Sequence, residues 1–170
     1  SLASCNVQVT GGSSYECYEY DYYDAWGYYT GSGTECDWYY YSADGTKQEL
    51  DIVGEVADVE AAVLEKTANI YAEKFSLSND QAMKIAKNVQ DLNALSDRTE
   101  SDIADFAQKL YGVNPSEIVS AVASAQVGMN ADLDSVIEKA AANFNTSSDN
   151  MKAIVKELHG KALEESGINL

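Results

Sequence analysis

Basic residues are absent from the first 46 positions of this 170-residue chain, where Lys47 is the first lysine or arginine. The whole chain has 11 basic and 28 acidic residues, a formal net charge of −17. Because proteins bind phosphate backbones through lysine and arginine, this deficit disfavours a nucleic-acid partner. It also disfavours adsorption to anionic lipid. A cationic partner remains compatible with the charge, and so does a simple role in solubility.

Histidine and the common catalytic motifs are also scarce. His159 is the only histidine, so any triad would have to use it; a partly exposed structural or helix-capping role is expected instead. There is no phosphate loop, dinucleotide-binding glycine motif or Cys-x-x-Cys pair. Residues 130–135 begin like an EF-hand loop, but Ser135 and Ala141 replace its glycine and glutamate, so a helix start is predicted. We therefore expect a non-enzymatic protein with no cofactor and no metal site.

No apolar run approaches the ~20 residues that a membrane-spanning helix needs, and the remaining composition is uneven. All three cysteines, both tryptophans and ten of the twelve tyrosines precede residue 42, whereas the only proline is Pro115. This change predicts a Tyr/Cys-rich N-terminal segment over residues 1–46 and an all-helical domain over residues 47–170. The fold class is mainly α, with short strands in the first segment.

The N-terminal segment is expected to be extended, because tyrosine and tryptophan favour strands. Residues 11–14, residues 30–33 and Asp44-Gly45 are typical of turns. Asp44-Gly45 is either a tight turn or the approach to the first helix. Two or three short strands in a hairpin-like ribbon are predicted.

Two cysteines lie in similar surroundings. Glu16-Cys17 and Glu35-Cys36 are 19 residues apart, and each precedes a run of aromatic and acidic residues. The simplest inference is a Cys17–Cys36 disulfide, which would stabilise the segment by ~3 kcal/mol. Such a bond indicates an oxidising compartment. Two reduced thiols in a cytosolic protein are the alternative.

Cys5 remains unpaired in this scheme. The preceding Leu2-Ala3-Ser4 resembles the lipobox of bacterial lipoproteins, in which the cysteine becomes the lipidated N-terminus. This resemblance covers four residues and implies that Cys5 is a candidate lipid attachment site. The alternative is a cysteine that stays reduced or pairs with another chain. The implied location is the periplasm, the outer membrane or the cell surface, with any membrane anchoring provided by the lipid on Cys5.

The aromatic residues of the N-terminal segment form a candidate interaction surface. Rings with interleaved carboxylates can stack on sugars, and tyrosine and tryptophan commonly anchor protein interfaces. The alternative is that the rings pack against the helical domain and supply the segment's own core. The candidate surface residues are Tyr20, Tyr22, Trp26, Trp38, Tyr39 and Tyr41.

From Leu50 onward, apolar residues recur at helical spacing and predict about six helices. The first is expected from about Leu50 to Phe75. Later starts are indicated by capping residues at Ser78, Thr99, Asn114-Pro115 and Ser147 or Ser148, and Gly112 suits a left-handed helix end.

The helical part also contains an internal similarity. The stretch at residues 75–80 recurs at residues 144–149, and residues 110–115 lie about halfway between them. Three helix-turn-helix units with a period near 34–36 residues are one interpretation. An ordinary helical bundle with similar caps is the other.

These observations predict an exported bacterial envelope or surface protein that acts as a structural or interaction module. Its partner would be a protein or a glycan at the cell envelope. The alternative function is a module that binds a glycan or small ligand through the N-terminal aromatic and acidic residues.

Overall fold

The computed structural model describes residues 11–52, 58–95 and 97–170. These residues form an antiparallel sheet of order β1-β2-β3 followed by six helices. The strands are β1 (Ser13–Tyr23), β2 (Tyr29–Tyr41) and β3 (Lys47–Glu49). The helices are α1 (Val59–Lys74), α2 (Asn79–Asn93), α3 (Glu100–Tyr111), α4 (Pro115–Gln126), α5 (Ala131–Phe144) and α6 (Ser148–Glu165). The predicted mainly α fold after a disulfide-linked, Tyr-rich segment of strands is confirmed.

The first two strands are longer than expected, at 11 and 13 residues. The predicted turn at residues 30–33 is wrong, because these residues lie inside β2. A β-carbon on Gly33 would stand 2.8 Å from the Tyr22 hydroxyl. Gly33 therefore leaves room for a ring from the neighbouring strand. The turn at residues 11–14 is also misplaced, since β1 already begins at Ser13.

The first helix starts later than predicted. Lys47, Gln48 and Glu49, predicted as part of the all-helical domain, pair instead with the end of β2. The Leu50 amide then donates to the Trp38 carbonyl, so the predicted start of the helix is bonded to the sheet. Helix α1 begins at Val59 after Asp58, whose carboxylate accepts a hydrogen bond from the Ala61 amide at 3.0 Å. Asp44-Gly45 forms the tight turn between β2 and β3.

The other predicted helix ends are confirmed by their capping bonds. Ser78 and Gln81 form a reciprocal capping box at the start of α2, and Thr99 caps α3. Gly112 ends α3 with a φ of 66°, a left-handed conformation that costs glycine little. Asn114 caps α4. Local side-chain chemistry thus sets where these helices begin and end.

The sheet and the helices share one hydrophobic core. Tyr40 on β2 and Leu50 just after β3 are buried in the same cluster as Tyr71, Ile85 and residues of the later helices. The Tyr71 hydroxyl donates to the Gly11 carbonyl, and its ring meets the Tyr40 ring edge-on at 5.7 Å. The predicted division at residue 46 falls between β2 and β3, which pair with each other.

The internal similarity corresponds to a reciprocal contact between two turns. Gln81 donates its side-chain amide to the Phe144 carbonyl at 2.8 Å, and Asn150 donates to the Phe75 carbonyl at 2.8 Å. Both members of each bond shift by the same 69 residues between the two copies. The turn between α1 and α2 and the turn between α5 and α6 therefore bind each other with local two-fold character.

Candidate interaction surface on the hairpin

The hairpin of β1 and β2 presents two different faces, because side chains alternate along a strand. The register pairs Cys17 with Cys36 and Tyr18 with Glu35. One face, here called the tyrosine face, therefore carries Glu16, Tyr18, Tyr20, Tyr22, Glu35, Asp37, Tyr39 and Tyr41. The opposite face, called the disulfide face, carries Ser13, Tyr15, Cys17, Glu19, Asp21, Tyr23, Thr34, Cys36, Trp38 and Tyr40.

The predicted surface residues are consequently divided among three places. Four of them, Tyr20, Tyr22, Tyr39 and Tyr41, share the tyrosine face. Trp38 lies on the disulfide face, where its ring is 5.3 Å from that of Tyr15 and packs partly buried against the helical core. Trp26 lies in the turn that joins the two strands. Packing against the helices, the alternative raised for these rings, therefore holds for Trp38 and Tyr40 at the base of the hairpin.

The predicted Cys17–Cys36 disulfide is confirmed. The two cysteines face each other directly across the strands, with a Cα–Cα distance of 4.0 Å. They lie midway along the hairpin, beyond the part that packs on the helices. The bond thus links the two strands where the helical domain gives them no support. Cys5 lies outside the described residues.

The turn at the far end of the hairpin is held by Asp24. Its carboxylate accepts hydrogen bonds from the Trp26 and Tyr28 amides, both at 2.9 Å. This arrangement leaves the Trp26 side chain 83% exposed and that of Tyr28 73% exposed. An ordered backbone therefore presents two aromatic rings to solvent.

Lys47 of β3 binds within a cage of tyrosine rings on the tyrosine face. Its Nζ atom lies 4.0 Å from the Tyr39 ring centroid, 4.4 Å from that of Tyr18 and 5.8 Å from that of Tyr41. The same atom forms an ion pair with Glu16 at 3.0 Å. Cation–π contacts and an adjacent carboxylate thus bind one ammonium group on this surface.

Glu16 also links the cage through hydrogen bonds. The hydroxyl groups of Tyr41 and Tyr18 both donate to its carboxylate. The bond from Tyr41, followed by Lys47, lowers the pKa of Glu16. The same bond raises the pKa of Tyr41 to about 12. The carboxylate is therefore held in its ionised form beside the lysine.

Beyond the cage, the tyrosine face carries the acidic residues Glu35 and Asp37 beside Tyr20 and Tyr22. Partial burial, followed by the negative charge of Glu35, raises the pKa of the Tyr20 hydroxyl. Repulsion from Asp37 raises the pKa of Glu49. Since no lysine or arginine precedes Lys47 in the sequence, residues 11–46 contribute no cation of their own to offset these charges.

A buried carboxylate on α6 joins the base of the sheet to the helices. Glu157 is 6% exposed, and it accepts hydrogen bonds from the Tyr40 hydroxyl at 3.1 Å and the Ala43 amide at 3.0 Å. It also accepts from the Ser42 hydroxyl at 2.8 Å and pairs with Lys74 of α1 at 2.7 Å. These bonds fix the hairpin base to two helices.

The helical domain encloses the only histidine of the chain, which is buried and not partly exposed as expected. The Nε2 atom of His159 lies 2.6 Å from the Tyr111 hydroxyl. Both side chains border an apolar cavity of about 80 Å³ between α3, α4, α5 and α6. Burial raises the pKa of Tyr111, so this pair is suited to structural hydrogen bonding.

Within residues 11–52, 58–95 and 97–170, no group of three or more His, Cys, Asp or Glu side chains is arranged to hold a metal ion. In the same part of the chain, no helix is both long enough and apolar enough to cross a membrane. Residues 131–144 form α5, so the EF-hand-like stretch is a helix start as predicted.

Three residues of the cage were absent from the predicted surface. They are Glu16 and Tyr18 of the tyrosine face, and Lys47, which reaches that face from β3. Tyrosines at 18, 20 and 22, and again at 39 and 41, alternate with a period of two. This period places Tyr18 with its neighbours. Lys47 had no comparable local signal, because its position depends on how β3 pairs with β2.

No protein-family model matches this chain, and comparisons with curated proteins and with solved structures found no match.

Proposed function

We propose that this protein is an exported, non-enzymatic interaction module of a bacterial envelope or cell surface. In this proposal the helical domain is a scaffold, and the β1–β2 hairpin is the part that contacts a protein partner.

The exposure of aromatic rings on an anchored hairpin carries the proposal. Tyr22 is 55% exposed, and seven other tyrosine and tryptophan side chains of the hairpin are exposed as well. They are Tyr15, Tyr18, Tyr20, Tyr23, Trp26, Tyr28 and Tyr29. Large exposed apolar patches usually belong to interaction sites, and aromatic residues are enriched among the side chains that dominate binding energy.

Export is supported by the disulfide and by the sequence around Cys5. Disulfides such as Cys17–Cys36 persist mainly in oxidising compartments. The intact mass of the protein from its own cell tests this point. A lipid mass on Cys5 and two oxidised cysteines would support export to a membrane surface, whereas two reduced thiols would contradict it.

The interaction role is tested by photo-crosslinking in the native cell. A benzoylphenylalanine at position 22 would lie on the exposed tyrosine face, and one at Lys152 would lie on the exposed side of α6. We expect a discrete adduct from position 22 only. The same adducts from both positions, or none from position 22, would overturn the assignment of the hairpin as the contact surface.

Glycan binding is the second candidate, favoured by the exposed ring of Trp26. Sugars commonly stack on such rings. Titration with N-acetylglucosamine oligomers should change the tryptophan fluorescence of the wild type but not of Trp26→Leu. An unchanged spectrum at millimolar sugar would remove this candidate.

A further inference from the structure

We infer that the tyrosine face binds a lysine or arginine side chain of the partner protein. This side chain belongs to an extended, basic segment that lies along β2, beyond the part of β2 that pairs with β3. This inference rests on the proposed function, because it names the chemistry of the partner for the same hairpin.

The chain itself shows how this surface binds a cation. Lys47 lies among three tyrosine rings and pairs with Glu16. It reaches that position from a short strand that pairs with β2, opposite Tyr41. A strand on the β2 edge thus delivers an ammonium group to the tyrosine face.

The outer half of the face repeats these chemical groups without a cation of its own. Tyr20 and Tyr22 are 42% and 55% exposed. Glu35 lies near them, and Asp37 is the next acidic residue of the same face toward the base, opposite Glu16. The negative charge of Asp37 is the main cause of the raised pKa of Glu49. A bound cation would relieve this repulsion while contacting the rings.

The backbone of β2 offers a place for such a segment. β3 pairs with Tyr39–Tyr41, and the Leu50 amide that follows donates to the Trp38 carbonyl. Along residues 29–37, on the side that β3 leaves open, the described ranges contain no further strand. A partner strand added there would gain backbone hydrogen bonds and place alternate side chains on the tyrosine face, near Glu35 and Asp37.

Charge selects a basic segment over an acidic or neutral one. Residues 11–52 contain nine acidic residues and a single basic one, Lys47. An acidic segment would add like charges to this surface, and a neutral one would leave the existing repulsion in place. Complementary charge also speeds encounter between partners.

Binding of a labelled peptide of alternating lysine and threonine to the full chain tests the inference, with fluorescence anisotropy as the readout. We expect saturable binding at low salt that weakens as salt rises. The matching glutamate-threonine peptide should not bind. Equal binding of both peptides, or no binding of the lysine peptide at millimolar concentration, would overturn the inference.

Two matched double variants separate a specific site from general attraction. Glu35→Gln/Asp37→Asn removes two charges from the tyrosine face, and Glu19→Gln/Asp21→Asn removes two from the disulfide face of the same hairpin. The first should weaken binding roughly three- to tenfold, and the second should leave it nearly unchanged. Equal weakening by both variants would show that net charge alone attracts the peptide.

An aromatic pair provides a second control. Tyr22→Leu and Tyr23→Leu alter rings of similar exposure, 55% and 61%, on opposite faces. Only Tyr22→Leu should weaken peptide binding, and equal effects would contradict the assigned face.

The results of peptide binding can be distinguished from those of the crosslinking experiment. A crosslinked partner without peptide binding would refute only this inference, whereas peptide binding without a crosslink at position 22 would refute the proposed function.

Discussion

Individual residues control how the sheet is attached to the helices, and Glu157 is the clearest case. Burial by itself would raise the pKa of this carboxyl, but hydrogen bonds from Lys74, Ser42 and the Ala43 amide lower it below its usual value. The ionised carboxylate is therefore more stable, relative to its protonated form, in the folded state than in the unfolded one. Its contribution to stability is present above about pH 4.5 and is lost as the pH falls through the lowered folded pKa.

Replacing Glu157 with glutamine should lower the free energy of unfolding at pH 7 by roughly 1–3 kcal/mol, because buried donors lose a charged acceptor. The stability of this variant should also fall less steeply than that of the wild type below pH 4.5. Urea unfolding followed by circular dichroism at several pH values measures both effects. Glu138→Gln, an exposed change on α5, should change neither the free energy of unfolding nor its pH dependence. An equal loss of stability in that variant would contradict the role of Glu157.

At the scale of elements, the hairpin combines a supported base with an unsupported outer part. Ser13 and Trp38 contact the helical domain, whereas most side chains of residues 17–35 are exposed. An isolated two-stranded hairpin is only marginally stable in water. The Cys17–Cys36 bond therefore supplies the outer part with stability that side-chain packing does not.

Replacing both Cys17 and Cys36 with serine should destabilise the hairpin locally by ~3 kcal/mol, the value for a loop of this length. The helices should remain, since their core residues lie elsewhere. Hydrogen exchange read by mass spectrometry should show faster exchange in β1 and in β2 up to about residue 36, with little change in α1 to α6. Loss of helical circular dichroism in the same variant would show that the disulfide supports the whole protein.

Elements with local signals were predictable from the sequence, whereas those that depend on strand pairing were not. The caps at Ser78, Thr99 and Asn114 were predicted because each capping side chain accepts a hydrogen bond from a backbone amide only two or three residues later. The start of α1 was misplaced because Ile52 has helical spacing with Val59, whereas the Leu50 amide donates to the Trp38 carbonyl of β2. The glycines of residues 30–33 indicated a turn, but Tyr22 covers Gly33 from the neighbouring strand.

At the scale of the whole molecule, reciprocal bonds join the first helical pair to the last. Asn150 of α6 donates to the Phe75 carbonyl at the end of α1, and Gln81 of α2 donates to the Phe144 carbonyl at the end of α5. Helices that are distant in sequence are thus connected through their turns. This connection predicts that the two ends of the helical domain unfold together.

Asn150→Ala should lower the free energy of unfolding by about 1 kcal/mol, because the Phe75 carbonyl loses its side-chain donor. Asn88→Ala is the matched control, since the Asn88 side chain donates within its own helix, to the Lys84 carbonyl at 2.7 Å. Chemical denaturation monitored by helical circular dichroism measures the effect. If Asn88→Ala destabilises the chain as much as Asn150→Ala, the reciprocal contact is not what joins the two pairs.

The sequence by itself determined the helical character, five of the six helix starts and the cysteine pair, because each depends on short-range periodicity, capping or similar local context. The tertiary structure alone decided which tyrosines share a face, that Lys47 joins them and that Glu157 holds the hairpin base. Those outcomes depend on strand register and on contacts between residues as much as 117 positions apart. No local pattern encodes such contacts, since they form only when the sheet packs on α1 and α6.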